Sequence, residues 1–348
     1  QYCNSTPTWR TAMTHGSPAN RVLANNKIIF TLYDDSDANL SNRDSDAVRI
    51  SGTAECGVAK QAMTMTARPL ALSCLDSAAH AVGNLTNDNN LTNNKPVSAN
   101  RVINNGVING DVESSTTTSN LNVINGTIKN GVPVKEVPGA NVVSFYSSTA
   151  SPMSYAAIPS VAGKKTITQQ LISPSRNPYG TTNPNGLYVL DCGGGMITID
   201  SCRIVGTLII VNLDPASRIE KSMNWEPVIT NYPALIVSGS IIIALSGTDL
   251  LEAGGSNPNF NPADTPYKGA SNSTSIDVYP CYLRGLIYAT GDITTEQSTS
   301  INGTLIAGVN MYLRGTTTLT HDSTYVNNPP PCFVSHRLAV NLGSWRPD

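Results

Sequence analysis

Charged side chains make up only 13% of the 348 residues and aromatic ones 6%. The few Lys and Arg are dispersed, Gly163-Lys164-Lys165 being the densest basic point, and the formal net charge is -2. That excludes the basic patch on which nucleic-acid binding rests, so no nucleic-acid partner is expected. No apolar run approaches the roughly 18–20 residues of a membrane-spanning helix; Ser238–Gly247 is far too short. A membrane span is not expected, and nothing after Gln1 reads as a signal peptide. No Cys-x-x-Cys pair occurs, which removes the usual zinc and dithiol motifs. Only four histidines are present, His15, His80, His321 and His336, none in the setting of a nucleophile elbow.

What fills the sequence instead is Asn, Ser, Thr and Gly around short apolar pairs. At 40% hydrophobic it is too apolar for a disordered chain, and it lacks the Glu, Lys, Ala and Leu runs of a helical one. The expected class is mainly β. Residues 1–67 read as an antiparallel meander, with strands in 25–35, 47–55 and 58–68 and an acid- and Asn-rich loop between the first two. Residues 68–83 read as a helix, with Pro69 in the first turn, Gly83 past the last, and Leu72, Leu75, Ala79 and Val82 as an apolar stripe. His80, alone on that helix, is expected to be a satisfied interface residue.

From residue 84 the texture is that of a parallel β-helix, a solenoid extending to residue 348. Val102-Ile103-Asn104 returns as Val123-Ile124-Asn125, and Gly206-Thr207-Leu208-Ile209 as Gly303-Thr304-Leu305-Ile306. Recurrent apolar pairs turned by Asn and Gly fit stacked rungs that bury the same column, with Asn ladders at the corners. Residues 133–187, 212–233 and 251–279 read as loop insertions, and the residues after Pro331 as an extended tail. An open solenoid end needs a cap, and the helix at 68–83 is placed to supply it.

Candidate chemistry is sparse. Asp191 and Asp200 lie on neighbouring strands and Glu220, Glu226 and Glu252 in loops, with no tight acidic pair, so no enzyme is expected. A phosphate loop is absent too: Gly193-Gly194-Gly195 is followed by a β-run, not by Lys-Ser/Thr and a helix. Asp35, Asp37, Asn39 and Asp46 present oxygens at spacings that suit Ca2+, although Leu40 stands where the central glycine of a calcium loop is usual. Seven cysteines in a low-charge chain suggest disulfides and an oxidising compartment, with Cys192 and Cys202 as the local pair and one thiol left over. Trp225, Phe260, Tyr267 and Tyr279, in the loops at 212–233 and 251–279, are candidates for a sugar-stacking platform.

Several phrases in order resemble a family of secreted planctomycete proteins of pilin-like (PilX-like) type. They include Pro7–Met13, Asp34–Gly52, Arg68–Ala81, Asn183–Asn212, Asn224–Val237, Asn259–Gly269, Gly285–Asp292 and Leu319–Phe333. The resemblance implies a hydrophobic N-terminal helix, then a β-meander, then a solenoid, and brings no catalytic residues; the hydrophobic helix is missing from this sequence. The expected function is a structural subunit of an extracellular filament or cell-surface assembly. It would be joined to other copies head-to-tail or by strand addition, with residues 1–24 free to complete a neighbour's sheet. The alternative is a surface carbohydrate-binding or polysaccharide-degrading protein.

Overall fold

The structure, a computed structural model, describes residues 3, 8–23, 26–252 and 258–347, and the chain divides into two compact units. Residues 1–72 and 327–348 form the smaller unit and residues 73–326 the larger. Both are mainly β.

In the smaller unit β1 (Pro18–Leu23), β2 (Asn26–Tyr33), β3 (Val48–Cys56) and β4 (Ala59–Ala71) pair antiparallel in chain order. β3 and β4 meet through a two-residue turn in which Gly57 takes φ +60°, the left-handed backbone such hairpins need. Trp9, Leu32, Leu40 and Val48 form the core. The C-terminal residues are not a tail of the larger unit. Val334–Val340 and Arg346–Pro347 both add to β4, Leu338 beside Pro69 and Arg346 beside Thr64. Nor is the N-terminal segment free: Trp9 is buried, and Pro18–Leu23 already pairs with β2.

The helix expected over 68–83 does not form. Its residues finish β4, make one 3-10 turn (Ser73–Asp76) and enter a strand (Ala79–Asn87). Ala79–Ala81 has a parallel neighbour on each side, Leu305–Ala307 and Val97–Ala99. An isolated helix of this length is marginal in water, so two flanking ladders outweigh it. Leu72, Leu75 and Ala79 are buried as the stripe required, while Val82 is exposed.

The larger unit is built by parallel pairing between strands that recur at short intervals. One inward file runs Met153, Leu190, Ile210, Val237, Ala289, Ala307, Ala81, Ala99, Ser114, Asn130. A second runs Ile167, Ile199, Ile219, Ile243, Thr295, Leu313, Asn87, Asn104, Asn120. A third runs Ile172, Ile204, Trp225, Leu283, Ile301, Leu319, Asn93. The two Gly-Thr-Leu-Ile phrases share one column, Leu208 being linked through Leu235 and Ile287 to Leu305. The Val-Ile-Asn repeat is in a different register from the one its spacing suggests. Val123-Ile124 lies on Val107-Ile108, and Val102–Asn104 lies under Thr118–Asn120.

The order in space is not the order in sequence. Strands from 151 to 320 stack in succession, and residues 79–130 then continue the stack beyond Leu305–Leu319. Residues 131–150 must therefore return along the whole unit. The nine pairings from Met153 to Asn130 span about 43 Å at roughly 4.8 Å each. Residues 131–140 extended at about 3.3 Å each, plus the helix Asn141–Thr149 at about 1.5 Å per residue, reach about 46 Å. Contacts follow that route: Val132 N–H to Ser114 O (3.1 Å), Glu136 N–H to Ser73 Oγ (2.7 Å), then Tyr146 edge-on to Tyr232. Of the expected loops, the described residues of 251–279 stay outside the stack, with Leu250–Leu251 and Val278–Tyr279 paired at its base, while 212–233 contains two stacked strands, Arg218–Lys221 and Asn224–Glu226.

Candidate functional site

All three inward files become polar towards the same end of the stack. Asn87 donates from Nδ2 to Asn104 Oδ1 (2.8 Å), and Asn104 from Nδ2 to Asn120 Oδ1 (2.8 Å). Ser114 Oγ donates to Asn130 Oδ1 (2.7 Å), and Asn93 Nδ2 to the carbonyls of Lys95 and Asp111. An amide carries donor and acceptor, so side chains stacked at the strand spacing hydrogen-bond in series. Among the described residues the ladder stops at Asn120. The strands of this last tier, Thr118–Asn120, Val123–Ile124 and Ile128–Asn130, pair on one side only. Around them Leu121 is 76% exposed, Val123 44% and Ile128 41%. The expected cap is not here. At the opposite end two of the three first strands carry outer contacts: Met153 bridges Gly180, and Ser160–Val161 pairs antiparallel with Lys164–Lys165, while Leu171 of the third is buried with Phe260 and Tyr279.

The acidic loop after β2 is reordered relative to the sequence expectation. Asp37 and Asp46 come together, but with Asp34; ligand oxygens of these three carboxylates lie within 4.8 Å of one another. Asp35 points away into a two-point ion pair with Arg49 (2.8 and 2.9 Å), which holds its carboxyl below the usual range. Asn39 spends its Oδ1 on the N–H and Oγ of Ser41. The signal for Asp34 was the alternation of β2: Leu32 and Asp34 are buried, Tyr33 and Asp35 are not.

The aromatic residues do not form a sugar platform. Trp225 is an inward member of the third file, and Phe260 and Tyr279 are buried with Leu171 and Leu250, with Tyr267 against them. They fasten the loop over the stack, edge-on to one another. Two buried charges help, which sequence reasoning missed. Arg203 donates to the carbonyls of Phe260, Thr265 and Pro266, and Glu252 accepts from Phe260 N–H, Tyr279 Oη–H and Asp277 N–H. Beside this loop lies an open polar groove of about 500 Å3, with Tyr282, Arg284, Asn302, Thr320 and Asp322 among its lining residues.

Cys192 and Cys202 are separate thiols, each in the apolar interior, and no disulfide joins the described cysteines. Burial pushes both up to about 12, which suppresses the thiolate that exchange requires. Of the seven cysteines Cys56 is exposed, Cys281 is half-buried with its pKa raised by burial, and the other five are buried. Titration of the reduced native protein with a thiol reagent should therefore give one fast equivalent, removed by Cys56→Ser; rapid reaction of Cys192 or Cys202 would contradict their burial. His80 is satisfied, Nδ1 lying 2.8 Å from Ser98 Oγ. Burial, reinforced by the charge of Lys135, lowers its pKa to about 4, so it stays neutral at ordinary pH.

No protein-family model matches the chain, and no curated protein matches it. Among solved structures it is similar to the competence-associated pilin ComZ from Thermus thermophilus, at TM-score 0.38 and 11% identity, over 96% of this chain and 87% of that one. It is also similar to an ice-binding protein from an Antarctic biological consortium, at TM-score 0.29 and 14% identity over 72% and 90% of the two chains. A third is an ice-binding protein from the Antarctic ascomycete Antarctomyces psychrotrophicus, at TM-score 0.29 and 12% identity over 73% and 98%. These are distant likenesses, and what those proteins bind or build is said of them alone.

Proposed function

We propose that the chain is a structural subunit of an extracellular filament or cell-surface assembly. In this reading residues 73–326 form a parallel β-helix whose last tier joins a second copy of the chain by strand addition. The observation that carries it is the end at residues 118–130, where backbone edges, exposed Leu121, Val123 and Ile128, and an unfinished amide ladder coincide. Natural sheets blunt such edges unless they are used. A second copy fits because a terminal amide is complementary to itself: two Asn120 side chains facing each other can each donate to the other. With the opposite end partly paired and partly covered by the chain's own residues, the contact is end-to-end and isologous. It closes as a pair, and longer assembly needs a further surface.

No catalytic role belongs to this reading. The His80–Ser98 contact is buried, its imidazole stays neutral, and the charge that shifts it is that of Lys135, not an orienting carboxylate. Sedimentation velocity on the full chain tests the proposal. A dimer is expected at tens of micromolar, and Val123→Lys or Ile128→Lys should each weaken it at least about tenfold, or about 1.4 kcal/mol. A chain that stays monomeric, or a dimer indifferent to both substitutions, would overturn it.

The polar groove beside Arg284 supports a second reading, a surface carbohydrate-binding protein, because Tyr282, Asn302 and Asp322 offer a ring face and hydrogen-bonding groups without enclosure. Retention on immobilised polysaccharides, lost in Arg284→Ala, is its expected result.

A further inference from the structure

We propose that Asp34, Asp37 and Asp46 of the smaller unit bind a calcium ion. Three carboxylates with oxygens within 4.8 Å of one another repel unless a cation or proton sits among them. A second observation sets this cluster apart from ordinary surface acids. Asp34 is 1% exposed, and while its Oδ1 accepts from the N–H and Oγ–H of Ser36, its Oδ2 is buried with no hydrogen-bond partner. A buried carboxylate oxygen left without a donor is costly, and a metal ion is a partner that needs no hydrogen.

The loop is held for the purpose from outside the cluster. Arg10, stacked on the buried Trp9, donates to the carbonyls of Leu40 (3.2 Å) and Asp46 (2.5 Å). These two bonds fix the middle and far end of the loop without occupying a carboxylate. Ser36 Oγ lies 3.1 Å from Asp46 Oδ2 and also touches Asp34, which places a hydroxyl between two of the acids. Asp37, the exposed member, accepts from the Asn39 N–H and from Asn42 Nδ2, and each carboxylate oxygen keeps a further lone pair for a cation. The donors are all hard oxygens. His15, the one nearby imidazole, has its Nδ1 occupied as acceptor of the Asp34 N–H (3.0 Å). An all-oxygen, partly solvated and irregular site suits Ca2+ better than zinc, which prefers nitrogen and sulfur, or Mg2+, which demands near-ideal octahedral geometry.

Isothermal titration of the full chain with CaCl2, after treatment with a chelator, tests the site. One equivalent is expected to bind, with a dissociation constant on the order of 10⁻⁴–10⁻³ M, as in extracellular calcium modules. Asp34→Asn keeps the size and both Ser36 contacts and should weaken binding at least tenfold. Asp37→Asn, on an exposed residue whose loss does not threaten folding, should do the same. Asp35→Asn, outside the cluster, should leave it within twofold. Absence of binding to the unaltered chain at 5 mM CaCl2 (about fivefold above the weakest expected constant) would overturn the proposal, as would unchanged affinity in Asp37→Asn.

Discussion

Arg203→Ala is expected to lower stability by about 3–5 kcal/mol, among the largest effects of any single substitution outside the apolar files. Arg203 is 1% exposed and its guanidinium fastens residues 260–266 through three carbonyls, two of them at 2.9 Å, while its Cζ lies 5.2 Å from the centroid of the Tyr267 ring. Alanine leaves those carbonyls buried without a donor, each worth about 1–3 kcal/mol, and opens a void under the loop. Burial lowers the pKa of Arg203, with Glu226 the main charge opposing the shift, so the group remains a buried cation that the loop is built around. Arg203→Lys should recover only part of the loss, because an ammonium cannot span the same fork of acceptors. Urea unfolding gives the number, and limited proteolysis gives the place, with new cleavage expected between residues 258 and 279. A change below about 1 kcal/mol with an uncut loop would show that the aromatic packing of Phe260 and Tyr279 suffices.

Gly303→Ala is the second large effect, at about 3 kcal/mol. A Cβ at Gly303 would sit 2.0 Å from the Gly285 carbonyl oxygen and 2.6 Å from its carbon, backbone atoms that parallel pairing holds in place. Relief requires the two strands to part, breaking the ladder on either side. Gly193→Ala is the control: it has a left-handed backbone at φ +56° but nothing within 4 Å of its Cβ, so only the backbone preference is lost, about 1 kcal/mol. Similar losses at the two positions would mean that strand spacing at Gly285–Gly303 is looser than the pairing implies.

The cluster around Asp34 illustrates how far residue spacing carries a site. Alternate acids pointed to the loop in which Asp37 and Asp46 do come together, because a loop that short keeps its oxygens close wherever they turn. Which acids turn inward was decided by β2, whose alternation buries Asp34, and by Arg49, which draws Asp35 outward. The aromatic residues failed for a related reason. A Tyr or Phe in a loop is amphipathic enough for either role, and here buried Arg203 and Glu252 pull the loop down and cover the rings.

Residue order was enough to establish a mainly β protein of short strands, the common column of the Gly-Thr-Leu-Ile phrases, and the place of the three central strands of the meander. These follow from side-chain alternation and from Gly and Asn at corners, which are local properties. The order of the stack, the return of residues 131–150, the addition of 334–340 to β4 and the absence of a helix at 68–83 emerged only with the fold. Each of these depends on which strand lies alongside another. Neighbouring strands bond through backbone groups common to every residue, so the pairing leaves little mark on the residues that make it.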